Sequence, residues 1–429
     1  MSERIFFANA RLLDPASGLD ETGGLLVESR MIMDFGAHLD TAPEDAEVID
    51  CDGFCLSPGL IDMRVHLGEP GAEHKETLAT LSQAAARGGV TAVVGLPNTD
   101  PPIDDAAVVE FLARRGRELR GVKVFAYGAA TKAMEGKRLT EVGLLKQAGA
   151  LGFTDGLHAV SDAVVMRRVL AYASGFDALV LQHVEEPTLT HGAVATEGEI
   201  ATRLGLPAGP AVAEAMMLER DLRLVELTGA RYHATQISTG AAVSELAGAK
   251  RRGLDVSADT APAYFALNET SVLDYRTFAR LSPPLRSEQD RREIVQGLIS
   301  GAIDVIASDH WGQDQETKRL PFAQAEPGAV GTETMLQLAL ELYHRGEIPL
   351  LDLLAKMTIN PANLLGLELG ALSPGRPADL AIFDLERPCR IDADNLQSKS
   401  KNTPFDGRPV QGMVMATMVD GRMIYDGRD

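Results

Sequence analysis

A chain of 429 residues with 45% apolar side chains has ample material for a buried core, which excludes global disorder. Its formal charge of −20, from 61 acidic against 41 basic residues, repels polyanions and excludes nucleic acid and anionic membranes as natural partners. Three cysteines (Cys51, Cys55 and Cys389) give no disulfide framework, the first residues carry no signal pattern, and no apolar run reaches membrane-spanning length, so the expected compartment is the cytoplasm.

In chain order, residues 1 to about 54 show short strands and turns, among them "RIFFANARLLDP", "GGLLVES" and "MIMDFG". From "GLIDMRVHL" onward, short apolar runs alternate with longer helical stretches. The further runs are "GVTAVVGLPN", "VKVFAYGAA", "GALGFTD", "ALVLQHVE", "ARYHATQIS", "LDVSADTAP" and "IDVIASDH". Near-continuous apolar strands imply burial on both faces and hence a parallel sheet. Eight strand–helix units point to an α/β fold, a (β/α)8 TIM barrel over 55–366, with functional groups at the C-terminal strand ends. A doubly wound sheet is the runner-up. The β-like flanks, 1–54 and 367–429, are each too short for a core of their own and are expected to meet in one composite β-sandwich.

Ligand-type residues fall at the strand ends. In "GLIDMRVHLGEPG" the alternation of a strand puts Asp62, Arg64 and His66 on one face. Asp155 ends strand four, His183 strand five and Asp309 strand eight. Any one of these alone reads as an ordinary hydrogen-bonded rim residue; four on one barrel face read as the remains of a metal site. His310 points away from Asp309 and reads as packing behind the site. His74 reads as a loop or capping residue, and Trp311 as a filler of the pocket. The stretch 313–331 reads as a loop over the site.

Several of these segments ("GLIDMRVHLGEPGAEHKET", "GGVTAVVGLPNTDP", "GFTDG", "SPPLR", "IDVIASDH", "KRLPFAQAEPGAVGTET", "NPANLLGL", "GRPADLAIFD" and "KNTPFDG") resemble the amidohydrolase superfamily and, within it, the class I dihydroorotases, almost end to end. The resemblance implies one or two zinc ions, attack by a metal-bound hydroxide on a ring amide, and proton transfer by the aspartate at Asp309. It carries the metal ligands onto His66, Asp155, His183 and Asp309, and a substrate contact onto Asn98. It breaks at two ligand positions. Arg64 stands where the first histidine of a His-x-His-x-Arg motif belongs, and Gln236 where the strand-six histidine belongs. Gly68 replaces the motif's arginine, and Ser282 an asparagine before "PPLR".

A cation at Arg64 and a dication about 4 Å away would repel by roughly 8 kcal/mol at an effective dielectric near 20. Arg64 is therefore expected to pair with Asp155 or Asp309 in place of a metal. On this reading the chain is a dihydroorotase homologue with a degenerate site, no dihydroorotase activity and no cofactor. The resemblance then implies a structural partner of aspartate carbamoyltransferase and a homo-oligomer. The first alternative is an active cyclic-amide hydrolase, a dihydroorotase or a related hydantoin or dihydropyrimidine hydrolase. It would hold one zinc on His66, Asp155, His183 and Asp309. The second alternative is a self-assembling scaffold.

Overall fold

The computed structural model describes residues 4–428. The chain opens with β1 (Arg4–Asp14), β2 (Leu19–Glu28), β3 (Met31–Gly36), β4 (Glu47–Asp50) and β5 (Cys55–Pro58). A second series follows: β6 (Leu60–Val65), β7 (Val90–Gly95), β8 (Lys123–Ala126), β9 (Val180–His183), the short pair β10 (Ala195–Thr196) and β11 (Ala208–Gly209), then β12 (Tyr232–Thr235), β13 (Val256–Thr260) and β14 (Val305–Ile306). The last strands are β15 (Leu380–Arg390), β16 (Pro409–Val419) and β17 (Arg422–Asp426).

Both chain ends build one eight-stranded sheet in the order β17-β16-β15-β5-β1-β2-β3, with β4 alongside β1. The chain stays in that sheet through Pro58 and leaves it at Gly59, whose Cβ would collide with the Thr91 side chain at 2.1 Å. Alternation in β1 and β2 places Phe7, Leu12, Leu25 and Val27 in a core with Ile32, Leu56, Leu380 and Ile382.

The second series pairs in parallel throughout. β6 lies beside β7 and β7 beside β8. Isolated bridges carry the pairing from Gly128 to Phe153 and from Phe153 to Val180 in β9. β9 then pairs with β12, β12 with β13 and β13 with β14. A last parallel bridge joins His310 back to Val65, so the pairings close a ring. The fourth position of the ring is reduced to Phe153. Its N–H donates to Leu179 and its carbonyl accepts from Leu181, while Thr154 exchanges bonds with Gly128 and Ala130. Phe153 is fully buried, and Phe153→Ala would cost about 3–5 kcal/mol in transfer and cavity terms.

The strands of this ring are buried on both faces, as their β-branched, near-continuous apolar runs require. Helices outside it seal the core, with Leu78, Leu81 and Ala85 against β7 and Met217, Leu222 and Val225 nearby. Side-chain caps start these helices at Thr77, Asp162, Thr239 and Ser287, each worth about 1 kcal/mol. Asp62, fully buried in β6, accepts from the Ser308 N–H at 3.0 Å and from its hydroxyl, which locks the first strand to the last at the C-terminal end of the ring. Among the described residues no helix is long and apolar enough to cross a membrane.

Candidate active site

The C-terminal ends of β6, β12 and β14 converge on one guanidinium. Arg64 is about 1% exposed, and its Nε donates to Asp309 Oδ1 at 3.1 Å while Nη2 donates to Gln236 Oε1 at 2.7 Å. Of the two partners expected for Arg64, the structure therefore selects Asp309. Asp155 is engaged elsewhere: it accepts from the Thr131 N–H at 2.8 Å and the Thr131 hydroxyl at 2.5 Å.

Local backbone shape aims these groups. Gln236 directly follows β12 and Asp309 comes three residues after β14, and both are non-glycine residues in the left-handed region, with φ of 54° and 52°. Each such residue costs on the order of 1–3 kcal/mol and persists only where its surroundings hold it. Asp259 in β13 supplies that hold for Gln236, accepting its N–H at 2.7 Å while its other oxygen meets His233 Nε2 at 3.0 Å. His233 completes a row inside the ring by meeting the Ser257 hydroxyl at 2.8 Å. This buried row was not anticipated from sequence. Its signal was present, because Ser257 and Asp259 are polar residues two apart on one face of β13.

The Asp309 carboxyl is pushed up to about 6 by burial, against the opposing pull of Arg64 and with the help of the nearby Asp259 charge. An acid with that affinity holds and releases a proton near neutrality, which suits general acid–base chemistry. His66 lies two residues beyond Arg64, and its ring stacks on Trp311 with centroids 4.4 Å apart and planes 10° apart. Burial, together with the Arg64 charge, pushes this imidazole well below its usual basicity, so it is neutral and its Nε2 has no hydrogen-bond partner. Trp311 thus packs inside the site against the ring face of His66 and leaves the in-plane Nε2 open.

Asn98 sits in the loop after β7, three residues beyond the strand. Its Oδ1 is buried without a partner, and its amide reaches Met134 Sδ at 3.4 Å. Gly156, at φ +66°, makes room for it: a Cβ there would stand 1.8 Å from Asn98 Oδ1. His183, at the end of β9, turns Nε2 to Glu185 at 3.1 Å and leaves Nδ1 unpartnered. Glu185 and Thr131, which occupy His183 and Asp155, were also missed from sequence, and nothing in their patterning set them apart. His310 points behind the site, to Glu76 at 3.3 Å, and His74 lies at the surface, 3.8 Å from Asp314.

The expected partial metal site of His66, Asp155, His183 and Asp309 is not assembled. A zinc ion needs three or four deprotonated donors aimed at one point, at about 2.0–2.2 Å. Among the described residues no three histidine, cysteine, aspartate or glutamate side chains are grouped to hold a metal. Asp309 instead faces Arg64, Asp155 faces Thr131 and His183 faces Glu185. The residues present do not fit zinc as they stand, because a permanent cation occupies the carboxylate at the centre.

Comparison with known proteins gives this geometry its setting. Residues 53–242 match the Dihydro-orotase-like family and residues 305–425 the Amidohydrolase family. The chain is 44% identical to a Dihydroorotase of Anaplasma phagocytophilum (strain HZ), over 98% of this chain and 95% of that one. It is 40% identical to a Dihydroorotase of Syntrophus aciditrophicus (strain SB), over 98% and 99%. Among solved structures, an L-hydantoinase (dihydropyrimidinase) from Arthrobacter aurescens superposes with a TM-score of 0.88 at 25% identity, covering 100% of this chain and 97% of that one. A dihydropyrimidinase from Brevibacillus agri NCHU1002 superposes at 0.84 and 22% identity, covering 99% and 96%.

Likeness at this level along the whole chain overturns the expectation of a homologue without activity. That expectation equated two substituted ligand positions with lost chemistry. The centre still holds a proton-carrying acid at Asp309, a buried cation at Arg64 and an unpartnered amide oxygen at Asn98. The chain belongs to the dihydroorotase family of the amidohydrolases.

Proposed function

We propose that this protein is an active cyclic-amide hydrolase that opens the ring of dihydroorotate to N-carbamoyl-aspartate, and closes it in the reverse direction. The observation that carries the reading is the set of relatives named Dihydroorotase at 40–44% identity over 98% of the chain. In this reading the closed ring of parallel strands is a (β/α)8 barrel over 55–366, with the site at its C-terminal end. The segments 1–54 and 367–429 form the accessory unit. Three free cysteines suit a reducing cytoplasm.

Each residue's part follows from its surroundings. Asp309 takes the proton from the attacking water and returns it to the ring nitrogen as the carbon–nitrogen bond breaks. Asn98 offers Oδ1 to a ring N–H, which would fill its missing partner. Trp311 and the segment 313–331 keep bulk water from the acid, since Trp311 is tied to Ala329 by a 2.7 Å backbone bond.

A ring-opening assay on the purified chain tests the proposal, with dihydroorotate, hydantoin and dihydrouracil as substrates and N-carbamoyl-aspartate for closure. The expected result is turnover of dihydroorotate above the two uncharged rings, and a loss of about 10²–10⁴-fold in kcat for Asp309→Asn. Preference for hydantoin would move the assignment toward the hydantoinase-like neighbours. No turnover of any ring in either direction would refute it.

A further inference from the structure

Resting on the reading above, we infer that Arg64 is a catalytic residue: its Nη1 holds the carbonyl oxygen of the scissile ring amide and stabilises the oxyanion that forms there, in the position a metal ion would fill. Three features of the centre carry this inference.

The first is an unmet bond. Nε and Nη2 of Arg64 are matched to Asp309 and Gln236, while Nη1 is buried with no partner. A buried donor left unsatisfied costs about 1–3 kcal/mol, and more when charged, so a fixed cation with one bare arm marks the place of an absent acceptor. The second is fixed geometry. Two bonded arms set the plane of the guanidinium, and a third bond anchors the strand beneath it, from the Arg64 N–H to Asp62 at 3.4 Å. A donor held this way needs no reorganisation when charge develops on its acceptor. The third is backbone strain placed on both partners, since Gln236, just after β12, and Asp309, three residues after β14, are both left-handed.

The acceptor follows from what Arg64 touches. Its Nε–Nη2 edge is taken by Asp309 and Gln236, so an oxygen bound to the remaining arm shares one buried guanidinium with the Asp309 carboxylate. Water adds to the amide carbon as Asp309 takes its proton, and the carbonyl electron pair moves onto the oxygen at Nη1. The pair then returns as the carbon–nitrogen bond breaks. Asp309 passes the proton to the leaving nitrogen, giving a ureido N–H and a carboxylic acid that ionises. Water is the only co-reactant, and no oxidant or reductant enters.

The test compares wild type, Arg64→Lys and Arg64→Met, each with a folding check by urea midpoint, before and after exhaustive chelation. Chelated wild type is expected to turn over dihydroorotate as fast as untreated protein. Arg64→Met should lose about 10²–10³-fold in kcat with a smaller change in KM, and Arg64→Lys should recover part of it. A role in gripping the substrate's carboxylate would instead raise KM for dihydroorotate and spare dihydrouracil, which overturns the inference. Activity lost on chelation and restored by zinc also overturns it while leaving the proposed function standing. A wild type inactive with and without zinc refutes the proposed function. In that case calorimetric binding of dihydrouracil judges Arg64. Binding lost in Arg64→Met and kept in Arg64→Lys supports the contact, and equal binding or none in wild type overturns it.

Discussion

Replacing Arg64 by methionine has a cost that can be worked from its neighbours. Burial against the Arg64 charge leaves the Asp309 carboxyl at about 6, where an ordinary aspartate sits near 3.8. That gap means the ionised group costs the fold about 3 kcal/mol at neutral pH, at about 1.4 kcal/mol per pH unit. Without Arg64 the carboxyl rises further and stays protonated, and carrying a proton at pH 7 costs about 4 kcal/mol by the same rule. The charge-related loss at pH 7 is thus only about 1–1.5 kcal/mol, because protonation caps it. Gln236 Oε1 also loses its donor, for a further 1–3 kcal/mol or so. The total is about 2–4 kcal/mol at neutral pH.

Its pH signature is specific. A folded pKa raised above the unfolded one is a cost that is absent below pH 3.8, grows up to about 6 and then levels off. In Arg64→Met the plateau moves up, so the gap between variant and wild type is constant below pH 6. Above that it widens by about 1.4 kcal/mol per pH unit. Urea midpoints across that range measure it, with Arg64→Met in an Asp309→Asn background as the control, where the gap should be flat. A gap in the Asp309 background that does not change with pH, or that narrows as pH rises, would refute the pairing of these two residues.

Three further outcomes follow from individual contacts. Gly156→Ala forces a Cβ to within 1.8 Å of Asn98 Oδ1 at a φ of +66°, so it should raise KM by displacing Asn98 and cost about 1–2 kcal/mol in stability; an unchanged KM would remove Asn98 from substrate contact. Burial alone would raise the Glu76 carboxyl, but His310, with the Ser398 and Thr80 hydroxyls, holds it down at about 2 against an ordinary 4.5. A depressed carboxylate contributes stability above pH 4.5 that is lost as pH falls toward 2, here up to about 3 kcal/mol, and acid titration of Glu76→Gln should lack that loss. Burial pushes the Cys51 and Cys55 thiols up to about 12, so a thiol reagent should modify native protein only at half-buried Cys389.

Strand positions were legible because burial on both faces forces near-continuous apolar runs. The fourth position was the exception: "GALGFTD" looks like its fellows, but it pairs only through bridges at Phe153, and Asp155 beyond it meets Thr131. The site residues stood out by type at the strand ends. Their partners did not, because which carboxylate Arg64 would choose depends on distances across the ring that spacing cannot encode. Asp259 was within reach of a sequence argument as a carboxylate on the same strand face as Ser257. Glu185 and Thr131 were not, as both lie in loops where polar residues are ordinary. The inference from altered ligand positions to lost activity failed for a different reason. A change of donor type shows that a metal site differs, and it does not show that the centre has no other means of polarising a carbonyl.

The most direct test of the account is the pH dependence of dihydroorotate ring opening by the purified chain. The account predicts measurable turnover whose rate falls as pH drops through about 6, where Asp309 becomes protonated, and that drops by about 10²–10⁴-fold in Asp309→Asn. A chain that opens no dihydroorotate at any pH, with or without added zinc, would contradict it.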